Sequence, residues 1–149
     1  MVWHSCAWQV ASRLRCVDPM MSITHPQYRM LVVEDESTAL AALKKYFSKQ
    51  GYRVEYAREL EEAEAMIITA KYDVVIADLR LSWSYAVEGL EILRFVRHHS
   101  RGTKVVILTA YGTPEIQRSA RALGAEAFLQ KPTPLPEIAD AVKRLLERS

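Results

Sequence analysis

Four short segments of this 149-residue chain carry residues that could do chemistry together. Three consecutive acids, Glu34, Asp35 and Glu36, follow the apolar run 30–33. Asp78 follows the run 74–77, Thr109-Ala110 follows the run 105–108, and Lys131-Pro132 follows the run 127–129. Each is ordinary alone: an acid, a Thr-Ala or a Lys-Pro after an apolar run is usually a solvated loop residue. Their joint and ordered placement is what carries meaning. Carboxylates gathered at one place raise one another's pKa. A hard divalent cation removes that penalty, and magnesium suits it, because Mg2+ prefers oxygen ligands, takes few carboxylates and keeps waters for phosphate oxygens. A lysine and a hydroxyl nearby neutralise and orient a transferred phosphoryl group. An aspartate can itself be the nucleophile, forming an aspartyl-phosphate. The set reads as phosphoryl acceptance on a carboxylate.

These residues cooperate only if the fold brings them to one place. Five apolar runs (30–33, 54–57, 74–77, 105–108 and 127–129) have strand length. Three are continuous Val/Ile/Leu-rich stretches, the pattern of strands buried on both faces. The second, Val-Glu-Tyr-Ala, is mixed and reads as an edge strand. Between them lie stripes at helical spacing: Leu40, Leu43 and Phe47; Leu60, Ala63, Ile67 and Ala70; Leu90, Leu93 and Val96, after Gly89; Ile116, Ala120 and Leu123; and Ile138, Val142 and Leu145. The fourth helix opens on Thr113-Pro114, a cap followed by proline at the first helical position, and closes at Gly124. Strands alternating with helices predict an α/β fold, (βα)5, in which the helices supply the crossovers of about a dozen residues that parallel strands need. The result is an open, doubly wound five-stranded parallel sheet with helices on both faces. In such sheets the functional crevice lies at the carboxyl ends of the strands, where all four chemical segments would meet. A dinucleotide fold is disfavoured: its first turn needs glycines, and here that turn holds three acids.

Composition narrows the classes further. The length suits one domain. Twenty basic and 18 acidic residues give a net charge of +2, which makes no electrostatic case for nucleic acid or membrane binding. No apolar run approaches the roughly 20 residues of a membrane span, and a cytoplasmic location is expected. Cys6 and Cys16 lack zinc-site spacing, and Arg13 and Arg15 break the apolar stretch that a signal peptide needs. Residues 1–27 fall outside the strand–helix pattern, although Trp3, Ala7, Val10, Leu14 and Val17 follow helical spacing. They read as an N-terminal extension, disordered or a docked helix, ahead of a domain spanning residues 28–149. His98 and His99 read as residues closing the third helix, favourable near its carboxyl end, and not as metal ligands.

From about residue 28 to 148 the chain resembles the receiver domain of bacterial response regulators. LVVEDES, DVVIADLRL, VVILTAYG and GAEAFLQKP carry the resemblance. It implies a flavodoxin-like strand order 2-1-3-4-5 and phosphorylation on Asp78. It also implies a Mg2+ cofactor held by Asp35 directly, by Glu34 through a water, by Asp78, and by the backbone carbonyl of Arg80. Thr109 resembles the hydroxyl that binds a phosphoryl oxygen, Lys131 the lysine that pairs with the phosphoryl group, and Phe128 the aromatic switch. The implied donor is a histidine kinase or a histidine phosphotransfer protein. The chain would then be a phosphoacceptor signalling domain in a phosphorelay, not an enzyme on other substrates, catalysing its own phosphorylation and often its own dephosphorylation. Output would pass through the fourth helix, fifth strand and fifth helix, where Arg118, Arg121, Gln130, Glu137 and Asp140 would support a homodimer or a partner interface.

Three departures from the family pattern touch no catalytic group. Leu81-Ser82 replaces Met-Pro after the acceptor, the loop 82–88 is longer and holds Trp83 and Tyr85, and Lys131-Pro132 is followed by Thr133 where phenylalanine is common. The last departure weakens packing beneath the final loop. Arg80 and Tyr111 stand at positions that the family varies. No sequence motif for a second domain follows the last helix, so the chain reads as a stand-alone receiver or as part of a longer regulator. Two alternatives stand beside this reading. One is a pseudo-receiver that binds partners without phosphorylation. The other is a small phosphatase with an aspartyl-phosphate intermediate, whose usual general acid two residues after the nucleophile is replaced here by Arg80.

Overall fold

A computed structural model of the chain describes residues 27–78, 87–110 and 112–148, with the backbone alone at 87–89. The order is β1 (Arg29–Val33), α1 (Ser37–Lys49), β2 (Arg53–Ala57), α2 (Leu60–Thr69), β3 (Val74–Asp78), α3 (Val87–His99), β4 (Lys104–Thr109), α4 (Pro114–Ala122), β5 (Ala127–Gln130) and α5 (Leu135–Glu147). All strand pairs are parallel, in the order β2-β1-β3-β4-β5. The expected (βα)5 topology and the edge position of β2 are both present. All but the last residue of the expected N-terminal extension (residues 1–27), the Arg80 carbonyl, Tyr111 and most of the 82–88 loop lie outside the described residues.

Strand alternation divides the core in two. Side chains two apart on a strand share a face, so Leu31, Val33, Val75, Ala77, Val105 and Ile107 pack against Ala63 and Ile67 of α2, Ile92, Leu93 and Val96 of α3, and Ala120 of α4. On the other face Met30, Val32, Val74, Ile76, Val106 and Leu108 meet Leu40, Leu43 and Phe47 of α1 and Ile138, Val142 and Leu146 of α5. Each Val, Leu, Ile, Met or Phe among them contributes about 1.5–3 kcal/mol when fully buried. The helical stripes matched, with small shifts. On α5 Leu146 is the buried residue and Leu145 is half-buried. Helix α3 starts at Val87, two residues ahead of Gly89.

Local signals set the ends. Thr113 Oγ1 accepts a hydrogen bond from Ile116 N at 3.3 Å, with Pro114 in the first turn of α4. Gly124 follows α4 with φ +99°, the left-handed turn that favours glycine. A connection that the sequence does not advertise holds this turn. Arg97 of α3 donates Nη2 to Gly124 O at 2.7 Å and Nη1 to Thr103 O at 2.7 Å, and pairs with the Glu126 carboxylate at 2.5 Å. Glu126 Oε2 in turn accepts from Val105 N at 2.7 Å. One guanidinium thus ties α3, the α4–β5 turn and the start of β4 together, at the amino end of the sheet. His99 Nδ1 lies 3.0 Å from Phe95 O, with its ring stacked on Phe95 at 4.0 Å, which places it as a helix-end residue.

Candidate functional site

The tips of β1, β3, β4 and β5 lie side by side because the sheet is parallel. The ladder sets Asp78 opposite Leu108 and Thr109 opposite Gln130, so both functional residues stay at the sheet's edge. Lys131 then leaves β5 with its amide donating to Thr109 O at 2.7 Å, and the Lys131–Pro132 peptide that follows is cis.

Glu34 is held from both ends. Its amide donates to Ala57 O at 3.0 Å, and its Oε1 accepts the Glu36 amide at 3.1 Å, at the N-cap of α1. The turn of three acids is therefore stapled by one of its own carboxylates. Glu34 is 2% exposed, Asp78 6% and Thr109 2%, whereas Asp35 faces solvent. The Lys131 ammonium lies between the buried acids, 2.8 Å from Glu34 Oε2 and 2.9 Å from Asp78 Oδ2. Among the described residues, Glu34, Asp35 and Asp78 each offer a carboxylate oxygen within 4.8 Å of the others. Such an all-oxygen set fits a hard divalent cation, and the three residues are those expected from the sequence.

Electrostatics in the cluster are finely opposed. Burial raises the pKa of Glu34 above the ordinary carboxylate value; the hydrogen bonds from Lys131 and the Glu36 amide pull it back, and the neighbouring Asp78 charge adds to the rise. For Lys131, burial acts against the charge, but the hydrogen bonds and charges of Glu34 and Asp78 outweigh it and hold the ammonium above its usual value. A bound cation would offset the mutual repulsion of these carboxylates.

Five of the expected site residues, Glu34, Asp35, Asp78, Thr109 and Lys131, come together at this edge. Phe128 lies on β5 opposite Ile107, half-buried against the core face covered by α2, α3 and α4. Sequence reasoning missed a groove of about 380 Å3 that runs from Glu34 and Lys131 between α1 and the β5–α5 loop, past Ala39, Leu43, Pro132 and Thr133. The replacement of an aromatic residue by Thr133 was its one legible sign. Also unforeseen, Arg58, just past β2, donates to Ser37 Oγ at 3.0 Å at the start of α1.

The model of the response regulator receiver domain family matches residues 30–143. Sporulation initiation phosphotransferase F of Bacillus subtilis (strain 168) is 30% identical over 118 residues, covering 79% of this chain and 93% of that protein. The probable transcriptional regulatory protein SilR of Salmonella typhimurium is 34% identical over 120 residues, covering 80% of this chain but 51% of that protein. The chain thus spans about half the length of several curated relatives it matches. Among solved structures, a CheY-like response regulator receiver domain protein from Methanospirillum hungatei JF-1 superposes with a TM-score of 0.77 at 26% identity, over 82% of this chain and 95% of that one.

Proposed function

The chain belongs to the response regulator receiver domain family, and from that premise we propose that it accepts a phosphoryl group on Asp78, with a magnesium ion held by Glu34, Asp35 and Asp78. The observation that carries the reading is the buried Asp78 carboxylate, bridged at 2.9 Å by Lys131 and clustered with two further acids at one sheet edge. The donor in this reading is the phosphohistidine of a histidine kinase or phosphotransfer protein. The bond from phosphorus to the imidazole nitrogen breaks as the bond to an Asp78 oxygen forms.

The roles follow from position. Lys131, already beside Asp78, balances the charge that arrives with the phosphoryl group. Thr109, buried on the neighbouring strand tip, supplies a hydroxyl for a phosphoryl oxygen. Glu34 is the outer ligand of the acidic pair and Asp35 the exposed, direct one, and the Arg80 carbonyl completes the set. When bound, the cation screens the three carboxylates from one another and from the incoming phosphoryl oxygens. The output surface is the α4-β5-α5 face, where Arg118, Arg121, Gln130, Glu137 and Asp140 are all exposed. Among the described residues no helix is long and apolar enough to cross a membrane, and a cytoplasmic setting fits the reading.

The test is intact-mass spectrometry after incubation with acetyl phosphate and Mg2+. One phosphoryl adduct, lost in Asp78→Ala and in EDTA, is expected. No adduct on the wild-type chain would sink the proposal in favour of a pseudo-receiver that signals by binding alone.

A further inference from the structure

Gly112 lies in the loop between β4 and α4, one residue before the Thr113 cap. Its backbone does not require glycine, since positive φ among the described glycines occurs at Gly51 and Gly124. Space requires it instead. A Cβ built on Gly112 would stand 2.7 Å from Phe128 Cε1, 2.8 Å from Phe128 Cζ and 3.0 Å from Thr109 Cγ2. Carbon atoms in contact sit about 3.5–4.0 Å apart, so a methyl group at 112 and the present Phe128 ring exclude each other. Gly102, in another loop, meets nothing within 4 Å at the equivalent point, and the crowding at Gly124 comes from the Arg97 side chain, so among the described glycines the clash with an aromatic ring falls at Gly112.

The neighbours have little room to yield. Thr109 is buried at the end of β4, and the Phe128 backbone is registered opposite Ile107 in the ladder. The ring can move only about its own side-chain torsions. On its inner side it packs against the core of that face, and Thr109's methyl stands beside the same loop. Phe128 is only half-buried, so its open direction is outward.

We propose that the bare backbone of Gly112 is the seat of the Phe128 ring, making Gly112 the positioning residue that keeps the ring on the same side of the loop as the Thr109 methyl. A displacement of Thr109 is then felt by the ring and passed to the exposed edge of β5. A side chain at 112 evicts the ring outward and breaks that link without touching the acids or Lys131. The signalling half of this inference rests on the function proposed above, whereas the steric half stands on the contacts alone.

The chain has three phenylalanines, Phe47, Phe95 and Phe128, so 4-fluorophenylalanine labelling gives three fluorine resonances, with Phe128→Leu assigning the third. In the wild type the Phe128 resonance should shift when Mg2+ and beryllofluoride are added. In Gly112→Ala it should start near its solvent-exposed position and lose that response, while the Asp78 adduct still forms by intact mass. A resonance at the wild-type position with its response intact would overturn the proposal. Should Gly112→Ala fold poorly, the pair Gly112→Ala/Phe128→Leu should recover most of the lost urea midpoint, and a pair with simply additive losses would overturn it as well. If the wild-type chain takes no phosphoryl group, the function proposed above fails, but the resonance of ligand-free Gly112→Ala and the paired midpoints still decide whether Gly112 seats the ring.

Discussion

Replacing Lys131 by methionine keeps the side chain's apolar length and removes its charge. In the wild type this ammonium touches both Glu34 and Asp78, which are 2% and 6% exposed. Without it the two buried carboxylates lose the ammonium that bridges them. Breaking a buried ion pair by removing one partner costs about 3–5 kcal/mol. Lys131 is itself 25% exposed, so water recovers part of this, leaving about 2–3 kcal/mol at neutral pH in EDTA. In urea that is a fall in midpoint of about 1 M. Two conditions should restore the variant. Mg2+ can take over the lost neutralisation, and at about a hundred times its Kd a ligand adds roughly 2.7 kcal/mol. The variant should gain more from Mg2+ than the wild type does, since no ammonium has to be displaced from the carboxylates. Acid is the second condition. Burial already raises the pKa of Glu34, and losing Lys131 removes the largest influence holding it down. The folded variant then binds a proton more tightly than the unfolded chain, so its stability should rise relative to wild type as pH falls from 7 toward that raised pKa. Urea melts in EDTA and in Mg2+, at neutral and mildly acidic pH, test all three points. A Lys131→Met protein as stable as wild type in EDTA and indifferent to Mg2+ would refute the reasoning.

Three further outcomes are expected. Gly124→Ala should destabilise by about 1–2 kcal/mol, because alanine is strained at φ +99° and its methyl would lie 2.7 Å from Arg97 Nε, loosening the guanidinium's hold on the α4–β5 turn; a urea melt matching the wild type would contradict that clamp. At the alkaline end Lys131 has its pKa raised above 10.5, as burial raises Tyr52 and Tyr72 above 10.0, so each adds stability below its unfolded pKa that is lost as pH rises through the folded one. The urea midpoint should therefore decline above about pH 10, less steeply in Lys131→Met; identical slopes in the two proteins would remove Lys131 from the account. Finally, light scattering with Mg2+ and beryllofluoride should show a larger mass than the apo chain if the α4-β5-α5 face pairs with itself, and an unchanged mass would count against dimerisation.

Much of the fold was legible because it rests on local periodicity. Continuous apolar runs marked β3 and β4 as doubly buried, and the mixed run 54–57 marked β2 as an edge. The stripes through Leu40, Leu43 and Phe47, and through Ile138 and Val142, marked the faces that cover one side of the sheet. Thr113-Pro114 and Gly124 bounded α4 by backbone chemistry that one residue carries alone. Helix α3 was less well bounded, since its stripe was placed after Gly89, which instead sits within the first turn.

The sequence by itself determined which residue types stand at the strand tips, because alternation of strands and helices and the rule of the carboxyl edge need no coordinates. Glu34, Asp35 and Glu36, with Asp78, Thr109 and Lys131, were all nameable on that ground, and the family resemblance singled out Glu34 and Asp35 among the three acids. Only the tertiary structure decided how they meet. Lys131 lies 97 residues from Glu34 and 53 from Asp78 along the chain, yet bridges both within 2.9 Å. Strand register and helix packing set that distance, and no local pattern encodes either. The same holds for Arg97 across the Gly124 turn, for the groove left open at Thr133, and for the ring of Phe128 on Gly112. Each is a fit between side chain and backbone from different elements, and such fits exist only once the layers have packed.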